Sequence, residues 1–241
     1  MREWEDVSSP LGKRIWYEDG EIEDYMAAEL GKGSEDLLTE GRGIDVERLL
    51  MRNYGVEPDY CTLDEGVLGA TLFGEGKVDV RISGALAEEG ERTTVGRRRL
   101  RMTIAHEAAH VVLHKCLFRG EGVMPLLRGA KTGPGGIFCR SVGMVRSGQG
   151  RKYGGEWWEY QANRGMVGLL LPRSLVGIKL RKSLEERKLD SFESAVREGR
   201  DGEVVRELAS AFDASLEATS YRLGEVGAVP DRSQIALDLG E

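Results

Sequence analysis

Histidine, cysteine and proline are scarce in this 241-residue chain, which holds three, three and six of them respectively. The cysteines, Cys61, Cys116 and Cys139, are odd in number, lie far apart and form no C-x-x-C pair. They therefore predict free thiols in a reducing cytoplasm, and they disfavour a disulfide framework or a cysteine-based zinc site. No apolar run reaches the roughly 18 residues that a transmembrane helix needs, so no membrane partner is expected.

The charge balance limits the classes of partner. The net charge is −7 at pH 7, which disfavours sequence-independent nucleic-acid binding by the whole surface. A basic run, 97–99 together with Arg101, is the local exception. We expect it to form the exposed start of a helix, with phosphate binding as the alternative. The charged beginning of the chain, 1–6, lacks the apolar segment of a secretory signal, in keeping with a cytoplasmic location.

All three histidines stand in one segment at four-residue intervals, as His106, His110 and His114, and Glu107 follows the first of them. A spacing of i, i+4 puts two imidazoles on one face of a helix, where their nitrogens can converge on one metal ion. Glu107 can reach a water held by that metal without binding the metal itself. Two nitrogen ligands, a neighbouring base and an open position are what a zinc hydrolase needs. The alternative is a buried helix with incidental histidines.

A third ligand has to come from another segment, because His114 is roughly 12 Å along the helix axis from His106. We therefore expect His114 to support the site from outside the ligand set. Glu159 is the best candidate, since a carboxylate from a second helix completes a His2Glu site. Asn163, one turn further on, can accept a hydrogen bond from the outward ring N–H of a ligand histidine. Glu156 is the competing ligand, and a solvated first helical turn is the alternative for both glutamates.

Apolar periodicity predicts an α+β fold that is mostly helical and has a small β-sheet. Helices are expected over the ranges 21–30, 44–54, 98–116, 174–188 and 191–197. Val78, Val80 and Ile82 alternate with charged residues, which predicts a half-buried strand that pairs with 68–73.

Two stretches predict loops. The polar stretch 88–94 predicts a short connection, and the glycine-rich stretch 119–155 predicts a long excursion that forms a lid or rim or is partly disordered. We expect a core domain over 1–175 and a helical C-terminal region over 176–241.

Within that C-terminal region, 203–225 has the pattern of a helix-turn-helix, with short helices expected over 204–212 and 216–223. The second helix offers only Arg222 as a cation, whereas DNA readout normally uses several polar or basic contacts. Packing or partner recognition is therefore favoured over DNA binding for this segment.

The two ligand segments resemble those of a known family. Residues 101–114, RMTIAHEAAHVVLH, resemble the metal helix of the ImmA/IrrE family of metallopeptidases. Residues 159–163, EYQAN, and then 169–172, LLLP, resemble that family's E-x-x-A-N and L-L-x-P segment. Family members often have Phe at the position of Met102 and Gly at that of Ala109, and both differences are small. The likeness extends over residues 17–225.

The resemblance implies a compact zincin-like core, a Zn2+ site with Mn2+ as the alternative metal, and cleavage of a partner protein, a helix-turn-helix transcriptional repressor of a mobile element or stress regulon. Carried over by position, the site it implies consists of the metal ligands His106, His110 and Glu159 and the catalytic base Glu107.

By analogy, the strand of Val78, Val80 and Ile82 would pair with an extended substrate segment. Tyr160 or an arginine of the glycine-rich stretch would stabilise the oxyanion. The alternative function is a DNA-binding or protein-binding regulatory module with a structural or silent metal site.

Overall fold

The longest helix in this computed structural model carries all three histidines and runs from Thr94 to His114. The structure describes residues 1–5, 13–32, 38–39, 43–74, 77–118, 136–139 and 157–227. The helices in these ranges are α1 (Asp19–Gly31), α2 (Val46–Tyr54), α3 (Gly84–Arg92), α4 (Thr94–His114), α5 (Trp157–Leu170), α6 (Arg173–Arg187), α7 (Phe192–Arg197), α8 (Asp201–Ala211) and α9 (Leu216–Gly227). The strands are β1 (Arg2–Glu5), β2 (Lys13–Trp16), β3 (Leu38–Thr39), β4 (Gly43–Ile44), β5 (Asp59–Cys61), β6 (Gly69–Gly74), β7 (Lys77–Ser83) and β8 (Gly136–Cys139).

The small sheet has the strand order β5-β7-β6-β8, and it accompanies a fold in which helices predominate. β6 and β7 form the antiparallel pair that the sequence predicts, β5 joins β7 in parallel, and β8 joins β6 antiparallel. The expected α+β class, mostly helical with a small sheet, is therefore confirmed. Apart from β8, the glycine-rich stretch 119–155 lies outside the described residues. The domain division at residue 175 stays a prediction.

Helix ends follow local signals where the sequence supplies them. The Asp45 side chain accepts a hydrogen bond from the backbone N–H of Arg48 at 2.9 Å, which caps the start of α2. Gly55 ends that helix with φ +64°, a left-handed conformation that glycine adopts without a steric penalty. The end of the helix agrees with the prediction over 44–54, whereas its start lies two residues later because Ile44 belongs to β4.

The predicted loop over 88–94 is wrong for most of its length, because α3 continues to Arg92 and α4 begins at Thr94. The Ser83 hydroxyl accepts a hydrogen bond from the Leu86 N–H at 3.4 Å and so starts α3. Leu86 is buried, whereas the glutamates of this helix are mostly exposed. A helix with so little apolar surface gives almost no periodic signal in the sequence.

β7 is an interior strand of the sheet. β6 pairs with it over residues 77–82, and β5 pairs with it over residues 81–83 on the other side. Val80 and Ile82 are fully buried, and Val78 packs against the same core. These three residues therefore contribute to the core, and the pairing of this strand with a substrate segment stays a prediction.

The basic run at the start of α4 is tied to the C-terminal helices through Asp213, which is 5% exposed. Arg97 donates two hydrogen bonds to the Asp213 carboxylate at 2.7 and 3.0 Å, and Arg98 donates one at 3.3 Å. Arg101 lies 3.8 Å from the same carboxylate. Burial alone would raise the pKa of Asp213, but these guanidinium groups hold it below its usual value. The run lies at the start of α4, as expected, and Arg97 and Arg99 are about half exposed. Three of its four arginines also make this internal contact, and phosphate binding stays an untested alternative.

A second charged cluster joins α9 to α1 and α5. Arg222 is fully buried and contacts Glu23 at 2.7 and 3.0 Å and Glu225 at 3.1 Å. Arg164 of α5 is 2% exposed and donates to Glu225 at 2.8 Å. The helix pair α8–α9 has the expected helix-turn-helix order. Its Arg222, however, is buried and forms ion pairs with Glu23 and Glu225. The exposed positions of α9 carry no lysine or arginine, which favours packing over DNA readout.

The hydrophobic core runs through the N-terminal strands, the sheet and the helices as far as α9, and includes side chains from Ile15 to Leu223. Across the ranges that the structure describes, no helix combines the length and the apolar character needed to cross a bilayer.

Asp213→Asn is expected to lower the free energy of unfolding by about 2 kcal/mol, because it leaves three guanidinium groups without their shared anion. Asparagine tolerates the left-handed backbone of this residue, φ +47°, so the change is confined to the charge. Urea denaturation at neutral pH measures the effect. Asp190→Asn, at an exposed position with no partner among the described residues, is the control, and an equal loss in both variants would contradict the assignment.

Candidate metal centre

The site lies between α4 and α5, which pack side by side. A Cβ atom built on Gly165 of α5 would lie 2.7 Å from the Cβ of Ala109 on α4, so the two backbones approach as closely as glycine and alanine allow. This approach brings Glu159 of α5 to His106 and His110 of α4. The pairing of one carboxylate with two imidazoles is the one expected from the sequence.

The three side chains offer ligand atoms that all lie within 4.8 Å of one another. The two imidazole Nε2 atoms, of His106 and His110, are 3.0 Å apart. The Glu159 carboxylate lies 3.1 Å from the first and 3.5 Å from the second. A tetrahedral zinc site with bonds of roughly 2.0–2.1 Å has ligand atoms roughly 3.3–3.4 Å apart, so these separations fit such an ion.

Burial and charge also suit metal ligands. Both histidines are fully buried, and burial lowers the pKa of His110 below its usual value, which keeps a nitrogen lone pair free. Burial would raise the pKa of Glu159, but the imidazoles of His110 and His106 hold it below its usual value. The Glu159 side chain is 24% exposed, so solvent can reach the centre from the side of this carboxylate. Two nitrogens and a carboxylate with access to solvent form a donor set that fits zinc.

Glu107 is held beside this centre by strand β6. Its carboxylate is fully buried, and its Oε2 accepts a hydrogen bond from the Thr71 hydroxyl at 2.6 Å. Its Oε1 has no hydrogen-bond partner among the described residues. Burial raises the pKa of Glu107 to about 7, and a group with such a pKa can exchange protons near neutral pH. One oxygen is therefore anchored and the other remains free to accept a proton.

Gly69 allows β6 to approach this carboxylate. A Cβ atom at Gly69 would lie 2.7 Å from Glu107 Oε1 and 2.9 Å from Thr103 Cγ2, closer than side chains pack. Neither Gly69 nor Thr71 was recognised in the sequence, where they stand in an ordinary predicted strand. Their partner is more than 30 positions away, and no local pattern indicates that contact.

The two other residues expected to support the site lie behind the histidine rings. Asn163 Oδ1 is 3.2 Å from His106 Nδ1, the contact that the sequence predicts. His114 Nδ1 is 2.9 Å from His110 Nδ1, on the side of that ring away from the centre. His114 is fully buried, and this burial lowers its pKa to about 3. Gln161 Oε1 lies 3.0 Å from His114 Nε2, and sequence reasoning did not identify this residue.

The described residues do not place the remaining sequence-based candidates at the centre. Glu156, the competing ligand, and the arginines of the glycine-rich stretch lie outside the described residues. Tyr160 donates a hydrogen bond to Asp19 Oδ1 at 2.6 Å, so its hydroxyl is already engaged. Val78, Val80 and Ile82 belong to the sheet, as described above.

Comparison of the sequence with known protein families and with curated proteins finds no match to either. A functional proposal therefore has to rest on the geometry of the site and on the residues of its two ligand segments.

Removal of a ligand should abolish tight zinc binding. His106→Ala, His110→Ala and Glu159→Gln are each expected to weaken Zn2+ affinity by more than about 100-fold, because each removes a direct ligand. Glu107→Gln and Glu156→Gln should retain the affinity of the wild type. Competition with a chromophoric chelator measures these constants. A larger loss in Glu156→Gln than in Glu159→Gln would reverse the choice of third ligand.

Gly69→Ala should displace either β6 or the Glu107 carboxylate. Overpacking of this kind is expected to lower the free energy of unfolding by roughly 1–3 kcal/mol in urea denaturation. Gly84→Ala is the matched control, since a Cβ atom there meets its nearest neighbour at an ordinary 3.5 Å. Equal stability of the two variants would show that Gly69 has more room than the structure indicates.

Proposed function

We propose that this protein is a zinc-dependent endopeptidase of the ImmA/IrrE type, with a zincin-like core, that hydrolyses a peptide bond in a partner protein. The observation that supports it most is the combination of His106, His110 and Glu159 with a buried carboxylate, Glu107, whose Oε1 is free. The sequence resemblance of both ligand segments supports the same assignment.

In this proposal the three ligands would hold Zn2+, with Mn2+ as the alternative. The ion would supply Lewis acidity to the scissile carbonyl and to the attacking water. Glu107 Oε1 accepts the proton that the water loses on attack at the carbonyl carbon, and Glu107 then delivers this proton to the leaving amine. Thr71 holds the other carboxylate oxygen, so the proton is received at a fixed position. Burial of the carboxylate excludes bulk water from competing for that hydrogen bond.

A purely structural metal site is the weaker alternative. Structural zinc sites take four protein ligands, whereas three donor side chains converge in the part of the chain that the structure describes. A structural site also has no use for Glu107, and a carboxylate buried with an unpartnered oxygen is costly to keep. A role for Glu107 as a catalytic base would explain why the protein keeps a carboxylate in this unfavourable position.

The proposed substrate is a transcriptional repressor, which follows from the family resemblance. A DNA-binding role is less favoured, because the one cation of α9, Arg222, is buried in ion pairs with Glu23 and Glu225. A cytoplasmic location is proposed with it, and the free thiol of Cys61 agrees with a reducing compartment.

The test is incubation of the purified, zinc-loaded protein with the repressor encoded beside its gene. The wild type should cleave that repressor, and Glu107→Gln should cleave it about 100- to 10,000-fold more slowly while it still binds zinc. Loss of the intact repressor band in gel electrophoresis measures the rate.

Glu91→Gln, at an exposed carboxylate of α3, is the matched control and should cleave at the wild-type rate. A chelator should stop cleavage, and added Zn2+ should restore it. Cleavage that persists in Glu107→Gln would remove that residue from its role. A shift of operator DNA without any cleavage would instead support the regulatory module.

A further inference from the structure

A line of hydrogen bonds leads away from the candidate metal centre through α4 and α5 to the N-terminal hairpin, the antiparallel pair of β1 and β2. His110 Nδ1 and His114 Nδ1 are 2.9 Å apart, and His114 Nε2 and Gln161 Oε1 are 3.0 Å apart. Gln161 Nε2 then donates to the backbone carbonyl of Ile15, in β2, at 2.9 Å. All three side chains are fully buried, so water cannot replace a missing partner.

The direction of this line is set at its far end. The Ile15 carbonyl can only accept a hydrogen bond, so the amide nitrogen of Gln161 must face it. The amide oxygen of Gln161 must then face His114. With the amide turned round, two oxygen acceptors would meet at 2.9 Å inside the core, which is unfavourable.

Each step fixes the next one. Since Gln161 presents an oxygen, His114 must carry its proton on Nε2, and the Nδ1 of the neutral ring is left as an acceptor. His110 must therefore carry its proton on Nδ1 and donate it to His114. The Nε2 of His110 is left with a free lone pair, and this atom is the one that lies beside His106 and Glu159.

We propose that Gln161 is a positioning residue that sets the tautomer of His110 through His114, with the Ile15 carbonyl as the fixed end. The inference rests on the assignment of His110 as a ligand in the proposed function, but it does not require peptidase activity. It gives the N-terminal hairpin a role in preparing the site.

Asn163 acts on the other ring. Its Oδ1 faces His106 Nδ1 at 3.2 Å, which favours a proton on that nitrogen and a lone pair on Nε2. Two lone pairs 3.0 Å apart, together with the Glu159 carboxylate, repel one another unless a cation lies between them. The surrounding hydrogen bonds therefore orient the ring nitrogens of both histidines toward a shared cation.

Histidine NMR can test the chain of tautomers directly, because the protein has only three histidines. In 15N-histidine-labelled, metal-free protein, His106 and His110 are expected to carry the proton on Nδ1 and His114 on Nε2. Long-range 1H–15N spectra distinguish these forms, and single histidine variants assign them. A proton on Nδ1 of His114 in the wild type would overturn the proposal without any further variant.

Gln161→Met keeps the size of the side chain and removes the acceptor. His114 should then populate both tautomers, and Zn2+ affinity should fall about 10- to 100-fold. In Gln161→Glu the buried acid is expected to be neutral, with its O–H donated to the Ile15 carbonyl and its other oxygen facing His114, so the Nε2–H form should return. Asn53→Leu removes a partly buried amide that bonds to Glu29, and it should leave all three tautomers unchanged.

Unchanged tautomers and unchanged affinity in Gln161→Met would contradict the proposal. If the variants do not fold, the tautomer of His114 in the wild-type spectrum still tests the proposal. The expected tautomers without any cleavage would refute the peptidase function alone, and cleavage with reversed tautomers would refute this inference alone.

Discussion

The close contact between α4 and α5 holds the candidate site together, because each helix supplies part of one set of donor atoms. Gly165 and Ala109 allow the two backbones to approach, and the imidazoles of α4 then meet Glu159 of α5 at 3.1 and 3.5 Å. A larger side chain at either small residue would separate these atoms by more than a metal–ligand bond can span. Packing and chemistry therefore depend on the same contact.

Around this contact, several polar groups are oriented by neighbours on other elements. β6 holds Glu107 through Thr71, and α5 holds the outer nitrogen of His106 through Asn163. The line from His110 through Gln161 ends on β2. Because these groups are buried, a wrong orientation would leave a donor or acceptor without a partner, so each contact has a strong preference for one arrangement.

The C-terminal helices are joined to the same elements by charge. Asp213 binds the arginines at the start of α4, and Arg222 joins the carboxylates of α1 and α9. A segment that has the helix order of a DNA-binding motif thus uses its charged side chains to attach to the helices that bear the site. Helix order alone did not distinguish these two uses, because the sequence pattern of short packed helices is the same in both.

The sequence by itself determined what depends on short spacings. His106 and His110 share a helix face because 3.6 residues make one turn, and the same rule places Glu159 beside Asn163. The caps of α2 and the alternation in β7 are equally local, and the structure has both. α3 was missed because it buries few apolar side chains, and the pairing of β5 with β7 was missed because alternation does not reveal how many neighbours a strand has. Only the tertiary structure decided that Thr71, Gln161 and Asp213 meet their partners, since those partners lie 36, 47 and up to 116 positions away along the chain. Contacts over such separations arise from the packing of whole elements, and no local pattern of residues encodes them.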